Sequence, residues 1–313
     1  MRLFGAAMVR NEADVIEAFV RHNLTAVDGL AILEHGSTDG TAAILQSLVR
    51  EGLPVFLSTE DRPQFSQWQQ MTWLVREIVA RAQPDFVFAL DADEFLKVKS
   101  RAAIEAALSA IPAGLHGIVE WHTYVPEFAR NGDVLASLRS SRRVTSLPVT
   151  EHKAVVAARA FQADNYAVLA NGNHYVARTD TRGVPTAIRA AKLRPDVAAL
   201  AHVPIRSASQ YTSKFAVNWL SMLATGPVPD KQAVHWREAF ARLRQGERPA
   251  ASELELTAAN YGLPREQWLP LEAITYVDEP FLADFALSYE RMGIRDPLAL
   301  VLAQAERLIA GSH

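Results

Sequence analysis

Short apolar runs alternate with segments of helical periodicity through the first hundred residues. The runs cover residues 3–9, 30–33, 55–57 and 86–90, and the segment 67–81 carries apolar side chains three and four positions apart. Strands that alternate with amphipathic helices form parallel sheets joined by crossover helices. The sequence therefore predicts an α/β fold with a mostly parallel central sheet flanked by helices.

Local signals predict the limits of several further elements. Asn11 is expected to cap the first helix, because a side-chain oxygen at this position can accept a free helical N–H. Within residues 126–180, strand-like pieces are separated by the turn signals Asn131-Gly132 and Asn171-Gly172, which predict antiparallel hairpins. A Ser-x-x-Gln capping box predicts that another helix starts at Ser207.

Charge and composition narrow the classes of partner. The 32 Lys and Arg residues against 35 Asp and Glu residues give a formal net charge of −3, which argues against an electrostatic nucleic-acid partner. The chain contains no cysteine, so thiolate metal sites and cysteine nucleophiles are excluded. No segment predicts a transmembrane helix or a signal peptide. We therefore expect a cytoplasmic protein, at most peripheral to the inner face of the membrane.

The acids that follow the run at 86–90 are the sharpest chemical signal. They read Asp91-Ala92-Asp93-Glu94. In extended backbone, Asp91 and Asp93 point the same way and could present two carboxylates to one hard cation. The carboxyl end of a parallel strand is also where open α/β sheets bind ligands. An isolated Asp-x-Asp is equally a solvated strand end, so the motif needs support from elsewhere in the chain.

That support comes from two polar loops that follow the first and second strands. Arg10-Asn11-Glu12 follows the first strand, and the run Gly-Ser-Thr-Asp-Gly-Thr at 36–41 follows the second. Together with Asp-Ala-Asp-Glu-Phe at 91–95, in this order, they resemble the nucleotide-diphosphosugar glycosyltransferases of the GT-A fold, within the broad glycosyltransferase family 2 group. The resemblance covers about the first hundred residues.

The resemblance implies a domain organisation and an activity. A GT-A-like, Rossmann-like catalytic domain would span 1–215, with a nucleotide-binding half at 1–100 and an acceptor and metal half at 101–215, followed by a helical extension at 216–313. The implied reaction moves a sugar from a UDP- or GDP-sugar to a saccharide or lipid-linked acceptor with inversion, as in surface polysaccharide or glycolipid synthesis. Whether the extension is an acceptor lid, a homodimer surface or both stays open. The alternatives are a sugar nucleotidyltransferase and a non-catalytic nucleotide-sugar-binding module.

The resemblance also assigns residues to the donor and to a cation. Asp91, Asp93 and His202 would hold Mn²⁺ or Mg²⁺, which would neutralise the diphosphate leaving group. Glu34-His35 departs from the acidic residues usual in the family, so the nucleotide base is left open. The residues assigned to the nucleotide-sugar are Arg10, Asn11, Glu12, Glu34, Gly36, Asp39, Asp91, Ala92 and Lys153.

The general base for the acceptor hydroxyl is less well defined by the sequence. Family members usually carry a Glu-Asp pair in the second half, and this chain has none there. The candidates are Glu120, Glu151 and Asp133, and Glu120 is preferred because Trp121 beside it offers a flat face for a sugar ring. Lys153, Arg206 and Lys214 each fit two interpretations, which are an anion-binding side chain and a solvated surface residue. For Lys214, on a predicted helix, the solvated surface is favoured.

Overall fold

The computed structural model describes residues 1–60, 67–128, 134–149, 151–224, 226–228, 234–289 and 296–310. Its strands are β1 (Leu3–Val9), β2 (Gly29–Glu34), β3 (Val55–Thr59), β4 (Phe86–Leu90), β5 (Glu94–Val98), β6 (His116–Val125), β7 (Arg142–Val144), β8 (His152–Ala157), β9 (Ala167–Leu169), β10 (Val176–Thr179), β11 (Pro185–Ala187), β12 (Ala190–Lys192), β13 (Ala198–His202) and β14 (Tyr276–Val277). Its helices are α1 (Ile16–Asn23), α2 (Thr41–Arg50), α3 (Gln67–Ala82), α4 (Arg101–Ser109), α5 (Val134–Arg139), α6 (Ala158–Ala163), α7 (Ala208–Leu223), α8 (Val234–Arg244), α9 (Ala251–Ala259) and α10 (Pro297–Ala310).

Within these residues, eleven strands form one large sheet. Its main path runs β14-β7-β6-β8-β4-β1-β2-β3, with β12 and β13 paired to β6 and with β5 paired to β13. The half formed by β4, β1, β2 and β3 is parallel, whereas β8 runs antiparallel between β4 and β6. The predicted α/β class with flanking helices is confirmed. The sheet is mixed rather than mostly parallel, because β5, β7, β8 and β14 all enter it in antiparallel pairs.

In the parallel half, β1, β2 and β4 are buried on both faces, which explains their continuous apolar runs, whereas β3 at the edge exposes Phe56. Side chains alternate between the two faces of a strand. Leu3 and Val9 of β1 pack in the cluster that contains α1 and α2, whereas Phe4 and Ala6 pack in the cluster that contains Met71 and other residues of α3. The helices therefore cover opposite faces of the sheet, and the loops at the strand ends remain free to form a site.

Residues 126–180 differ from the predicted set of hairpins. The Asn171-Gly172 turn does join β9 to β10 as an antiparallel pair. In contrast, β8 is inserted into the large sheet, and α5 and α6 form two short helices. The signal at 131–132 lies outside the described residues. Because β8 is apolar throughout its centre, its pairing partner could not be identified from sequence pattern alone.

The C-terminal segment is attached to the sheet by several contacts. The boundary proposed at residue 215 falls inside α7, and β14 pairs with β7 at the end of the large sheet. Leu300 and Val301 of α10 pack against Ala216 and Val217 of α7. The described residues of 216–313 thus combine helices with a strand that extends the sheet. Among the described helices, none combines the length and the apolar character needed to cross a membrane.

His22 of α1 provides a test of how burial stabilises this fold. Its Nε2 donates to the carbonyl of Leu96 at 2.8 Å, and its Nδ1 accepts the N–H of Ala283 at 3.1 Å, so both ring nitrogens are satisfied only in the neutral form. Burial lowers the pKa of His22 from 6.5 to about 4. Between pH 6.5 and about pH 4, His22 is protonated in the unfolded chain but stays neutral in the folded chain. The free energy of unfolding therefore decreases as the pH falls through this range.

We expect that lowering the pH from 7 to 5 costs about 2 kcal/mol of unfolding free energy through His22 alone. Urea unfolding of the wild type and of His22→Gln at both pH values measures this effect. The variant should lose less stability on acidification than the wild type, whatever its stability at pH 7. Equal losses in the two proteins would contradict the assignment.

Candidate functional site

A cavity of about 470 Å³ opens at the carboxyl ends of β1 and β4. From β1 the chain continues to β2 and β3 on one side, whereas β4 pairs with the other side of β1. This change of direction is the place where open α/β sheets leave a crevice for ligands. The side chains that line the cavity include Arg10, Asn11, Glu12, Asp91, Asp93, Trp121, Glu151, Lys153, His174, His202, Lys214 and Tyr261.

The loop after β1 is tied to the loop after β2. The Asn11 side chain accepts the N–H of Thr38 at 2.8 Å, and the Asn11 N–H donates to Ser37 Oγ at 3.0 Å. Asn11 has a left-handed φ of 56°, which Asn tolerates better than most residues. The prediction that Asn11 caps the first helix was therefore wrong, since Val15 precedes α1 and Asn11 links two loops instead.

The residues assigned to the nucleotide-sugar divide into two groups. Arg10, Asn11, Glu12, Asp91, Ala92 and Lys153 line the cavity, whereas Glu34, Gly36 and Asp39 are not among its described lining residues. Asp39 accepts the N–H groups of Thr41 at 2.9 Å and Ala13 at 3.1 Å, and thereby holds both loops in place. Glu34 accepts the N–H of Ser37 in the same turn. These two acids shape the loops from behind the cavity.

Asp91 is paired with a buried lysine. Lys153 Nζ lies 2.5 Å from Asp91 Oδ2, 3.0 Å from Glu94 Oε1 and 2.8 Å from the carbonyl of Gly172. Only 1% of the Lys153 side chain is exposed, so it is not a solvated surface lysine. Burial raises the pKa of Glu94 to about 8 against the opposing charge of Lys153. The remaining Asp91 oxygen accepts from Asn173 Nδ2 at 3.1 Å.

Asp93 is paired with a second lysine on the opposite side of the loop. Lys214 Nζ lies 2.6 Å from Asp93 Oδ2, and His202 Nε2 lies 3.6 Å from Asp93 Oδ1. Burial opposes ionisation of Asp93, but Lys214 and His202 hold its pKa well below the usual range. Burial lowers the pKa of His202 to about 4, so its ring is neutral near pH 7. Lys214 thus belongs to the site, contrary to the solvated surface that its helix predicted.

The predicted cation ligands do not form a three-ligand group. Within the described ranges, no three carboxylate or imidazole side chains are close enough to hold one metal ion. The reason is local: residues 91–93 form a turn in which the Glu94 N–H donates to the Asp91 carbonyl at 3.1 Å, rather than an extended segment. Asp91 and Asp93 therefore face different lysines. A cation bound to Asp93 and His202 would have to displace Lys214, so these residues do not fit a resident metal as arranged.

Arg206 joins the first loop to the segment before α7. Its side chain is fully buried, donates to Glu12, and contacts Asp14 at 2.8 and 2.9 Å. Burial raises the pKa of Glu12 to about 7, and Arg206 opposes that rise. Arg206 also lies 4.0 Å from Asp93. Arg206 therefore links the loop after β1, which carries Glu12 and Asp14, to the loop after β4, which carries Asp93. It is not a solvated residue.

The candidates for the general base occupy different environments. Glu120 lies outside the cavity lining and is engaged by Lys192 at 2.7 Å and by His122 at 3.1 Å. Alternation along β6 turns Trp121 into the cavity and Glu120 away from it. Glu151 lines the cavity, where its carboxylate lies 3.2 Å from His174 Nδ1.

The positions of these two side chains favour Glu151 over Glu120 as the candidate general base. Glu151 also lines an adjoining pocket of about 30 Å³ that it shares with Trp121 and Tyr261. The preference for Glu120 is therefore not supported by its position, and Glu151 is the better candidate. Asp133 lies outside the described residues.

Comparisons with known proteins give distant structural matches. No protein-family description matches the chain, and no curated protein matches it. A structure of S. aureus TarS residues 1–349 is 10% identical, with 79% of this chain and 72% of that chain covered and a TM-score of 0.37. A longer S. aureus TarS structure is 8% identical, with 85% and 44% covered and a TM-score of 0.39.

A third match covers a smaller share of both chains. Glucosyl-3-phosphoglycerate synthase from Mycobacterium tuberculosis, in complex with Mn²⁺, UDP and glucosyl-3-phosphoglycerate, is 19% identical. The match covers 38% of this chain and 43% of that chain with a TM-score of 0.26. This chain therefore spans less than half of the longer TarS chain and of the synthase. Because these similarities are so distant, a function has to be inferred from the cavity and the residues that line it.

Proposed function

We propose that the protein is a glycosyltransferase that moves a sugar from a nucleoside-diphosphate sugar to an acceptor hydroxyl. The observation that carries the proposal is that the loops after β1 and β4 meet in one polar cavity at the point where the sheet reverses its strand order. That position and a volume of about 470 Å³ suit a nucleotide-sized ligand. The distant matches to TarS and to the synthase agree with this class but do not carry it.

In this proposal the loop after β1 binds the nucleoside, and Lys214 of α7 binds the diphosphate. Arg10 and Asn11 line the cavity beside β1, and Lys214 lines it beside Asp93. When the bond between the anomeric carbon and the diphosphate breaks, negative charge grows on the leaving oxygen. A fixed positive group in a partly dry cavity stabilises that charge without reorganisation of solvent. Mn²⁺ or Mg²⁺, predicted from the resemblance, is the other group that could supply it.

Glu151 is the group proposed to accept the proton of the acceptor hydroxyl. It lies between the large cavity and the adjoining pocket, and both pockets also contain Trp121 and Tyr261. Aromatic faces at such a position provide a platform for a sugar ring. An attack on the face of the anomeric carbon opposite the diphosphate would invert its configuration. The acceptor is thus proposed to be a saccharide or a lipid-linked saccharide that reaches the cavity past Trp121.

We expect one class of nucleotide-sugar to raise the melting temperature of the protein, because a ligand that binds only the folded state stabilises it. A thermal-shift panel of UDP-, GDP-, dTDP- and CMP-sugars, each in EDTA and in Mn²⁺, names the base and reads the metal requirement separately. No shift with any of them would contradict the proposed donor site.

The released product separates the proposed function from its alternatives. A glycosyltransferase incubated with donor and acceptor releases a nucleoside diphosphate. A sugar nucleotidyltransferase releases pyrophosphate, and a binding module releases neither. The loop after β1 contains no glycine between residues 9 and 13, unlike the glycine-rich phosphate loops expected of nucleotidyltransferases. The absence of glycine from this loop favours a glycosyltransferase over a sugar nucleotidyltransferase.

A further inference from the structure

The ammonium group of Lys214 covers Asp93 on the cavity side. The Lys214 side chain is 24% exposed and lines the cavity, whereas that of Asp93 is only 4% exposed. Lys214 Nζ lies 2.6 Å from Asp93 Oδ2 and 3.9 Å from Glu12 Oε1. A ligand that enters the cavity therefore meets Lys214 before it meets the Asp93 carboxylate.

We infer, on the basis of the proposed function, that Lys214 takes the place of a divalent cation and binds the diphosphate of the donor directly. A cation bound to Asp93 would lie about 2.1 Å from its oxygen, which would bring it against the ammonium group. A second cationic side chain faces the same oxygen, since Arg206 Nη1 lies 4.0 Å from Asp93 Oδ2. Both charges cannot share this space, and Lys214 already holds it.

Asp91 does not offer a second place for the cation. It is the more exposed of the two acids, with 34% of its side chain accessible, but its Oδ2 is held by Lys153 at 2.5 Å. Lys153 is anchored in turn by Glu94 and by the carbonyl of Gly172. Each carboxylate of the Asp-x-Asp motif thus has its own ammonium partner. The pair that the sequence predicts to bind a metal instead holds two lysines in place.

The inferred role fits the charge changes of the transfer. The bond from the anomeric carbon to the diphosphate breaks, and its electron pair stays on the diphosphate oxygen. The acceptor oxygen forms the new bond to the anomeric carbon, and its proton passes to Glu151. Lys214 remains an ammonium throughout and acts as a point charge beside the departing diphosphate. Because Asp93 positions Lys214 before the donor arrives, no cation is needed to build the site.

The test measures UDP and GDP binding by calorimetry in EDTA and in Mn²⁺, for the wild type, Lys214→Met and Lys214→Arg. We expect the wild type to bind one nucleotide with affinities that agree within about twofold in the two buffers. Lys214→Met should lose at least about tenfold in EDTA, because a charge-assisted contact is lost. Lys214→Arg should retain most of the affinity, which separates loss of charge from loss of fold. Lys192→Met, which alters the partner of Glu120 outside the cavity, is the matched control and should bind like the wild type.

Binding of Mn²⁺ to the protein alone gives an independent readout. Titration followed by the electron paramagnetic resonance of free Mn²⁺ should show no uptake by the wild type and measurable uptake by Lys214→Met, in which Asp93 and His202 are uncovered. Wild-type binding that weakens tenfold or more in EDTA, with Lys214→Met binding like the wild type, would overturn the inference and leave the transferase standing. Absence of binding to either nucleotide in both buffers, together with no thermal shift for any nucleotide-sugar of the panel, would overturn the proposed function and the inference with it.

Discussion

Replacing Glu151 by glutamine is expected to lower kcat by about 10²- to 10⁴-fold, which is the usual contribution of a general base. The amide keeps the size of the side chain but cannot take the proton of the acceptor hydroxyl. Glu151 lines the cavity at its border with the pocket that contains Trp121 and Tyr261, and it is not assigned to the nucleotide, so nucleotide binding should be unchanged. Initial rates with saturating donor measure the loss of kcat, and a separate measurement of donor affinity shows whether nucleotide binding is unchanged.

Glu120→Gln provides the matched control for this experiment. Glu120 precedes Trp121 on β6, but its carboxylate contacts Lys192 and His122 outside the cavity. Because Glu120 does not line the cavity, its replacement is expected to change kcat by less than about threefold. If Glu120→Gln abolishes transfer while Glu151→Gln retains most of it, the assignment of the base is wrong.

The sequence predicts that the loops after β1 and β4 meet, because their meeting depends on strand order. The segments at 3–9 and 86–90 were identified from their apolar character, and both strands are parallel neighbours in the structure. Loops that follow such strands meet at one edge of the sheet, whatever their side chains are. The convergence of Arg10, Asn11 and Asp93 in one cavity therefore agrees with the α/β pattern of the first hundred residues.

The partners of the acidic residues could not be predicted in the same way. Asp93 and Lys214 are 121 positions apart, and Glu12 and Arg206 are 194 apart. A long basic side chain on a helix looks the same in sequence whether it is solvated or buried against an acid. The expectation that Asp91 and Asp93 point the same way was wrong because it assumed extended backbone. A turn at these residues directs the two carboxylates to different lysines instead.

Removal of the Arg206 guanidinium is expected to give the largest loss of stability in the site. In Arg206→Met, the buried Glu12 and the half-buried Asp14 lose the guanidinium that pairs with both of them. Breaking a buried ion pair by removing one partner costs about 3–5 kcal/mol, because the remaining charge is left without compensation. Urea unfolding at pH 7 measures the change in the free energy of unfolding. We expect a loss in this range, accompanied by weaker nucleotide binding as the loop after β1 loosens.

Arg194→Met is the control for the general effect of losing an arginine. Arg194 is paired with Asp196, but its side chain is 78% exposed, so water already screens the pair. Exposed ion pairs contribute at most about 1 kcal/mol, and this variant should unfold close to the wild type. The two arginines carry the same charge and differ in their burial. Equal losses of unfolding free energy in the two variants would therefore contradict the stabilising role of the buried ion pairs. A large loss confined to Arg206→Met would instead show that the acidic loop after β1 depends on a cation delivered from the segment before α7.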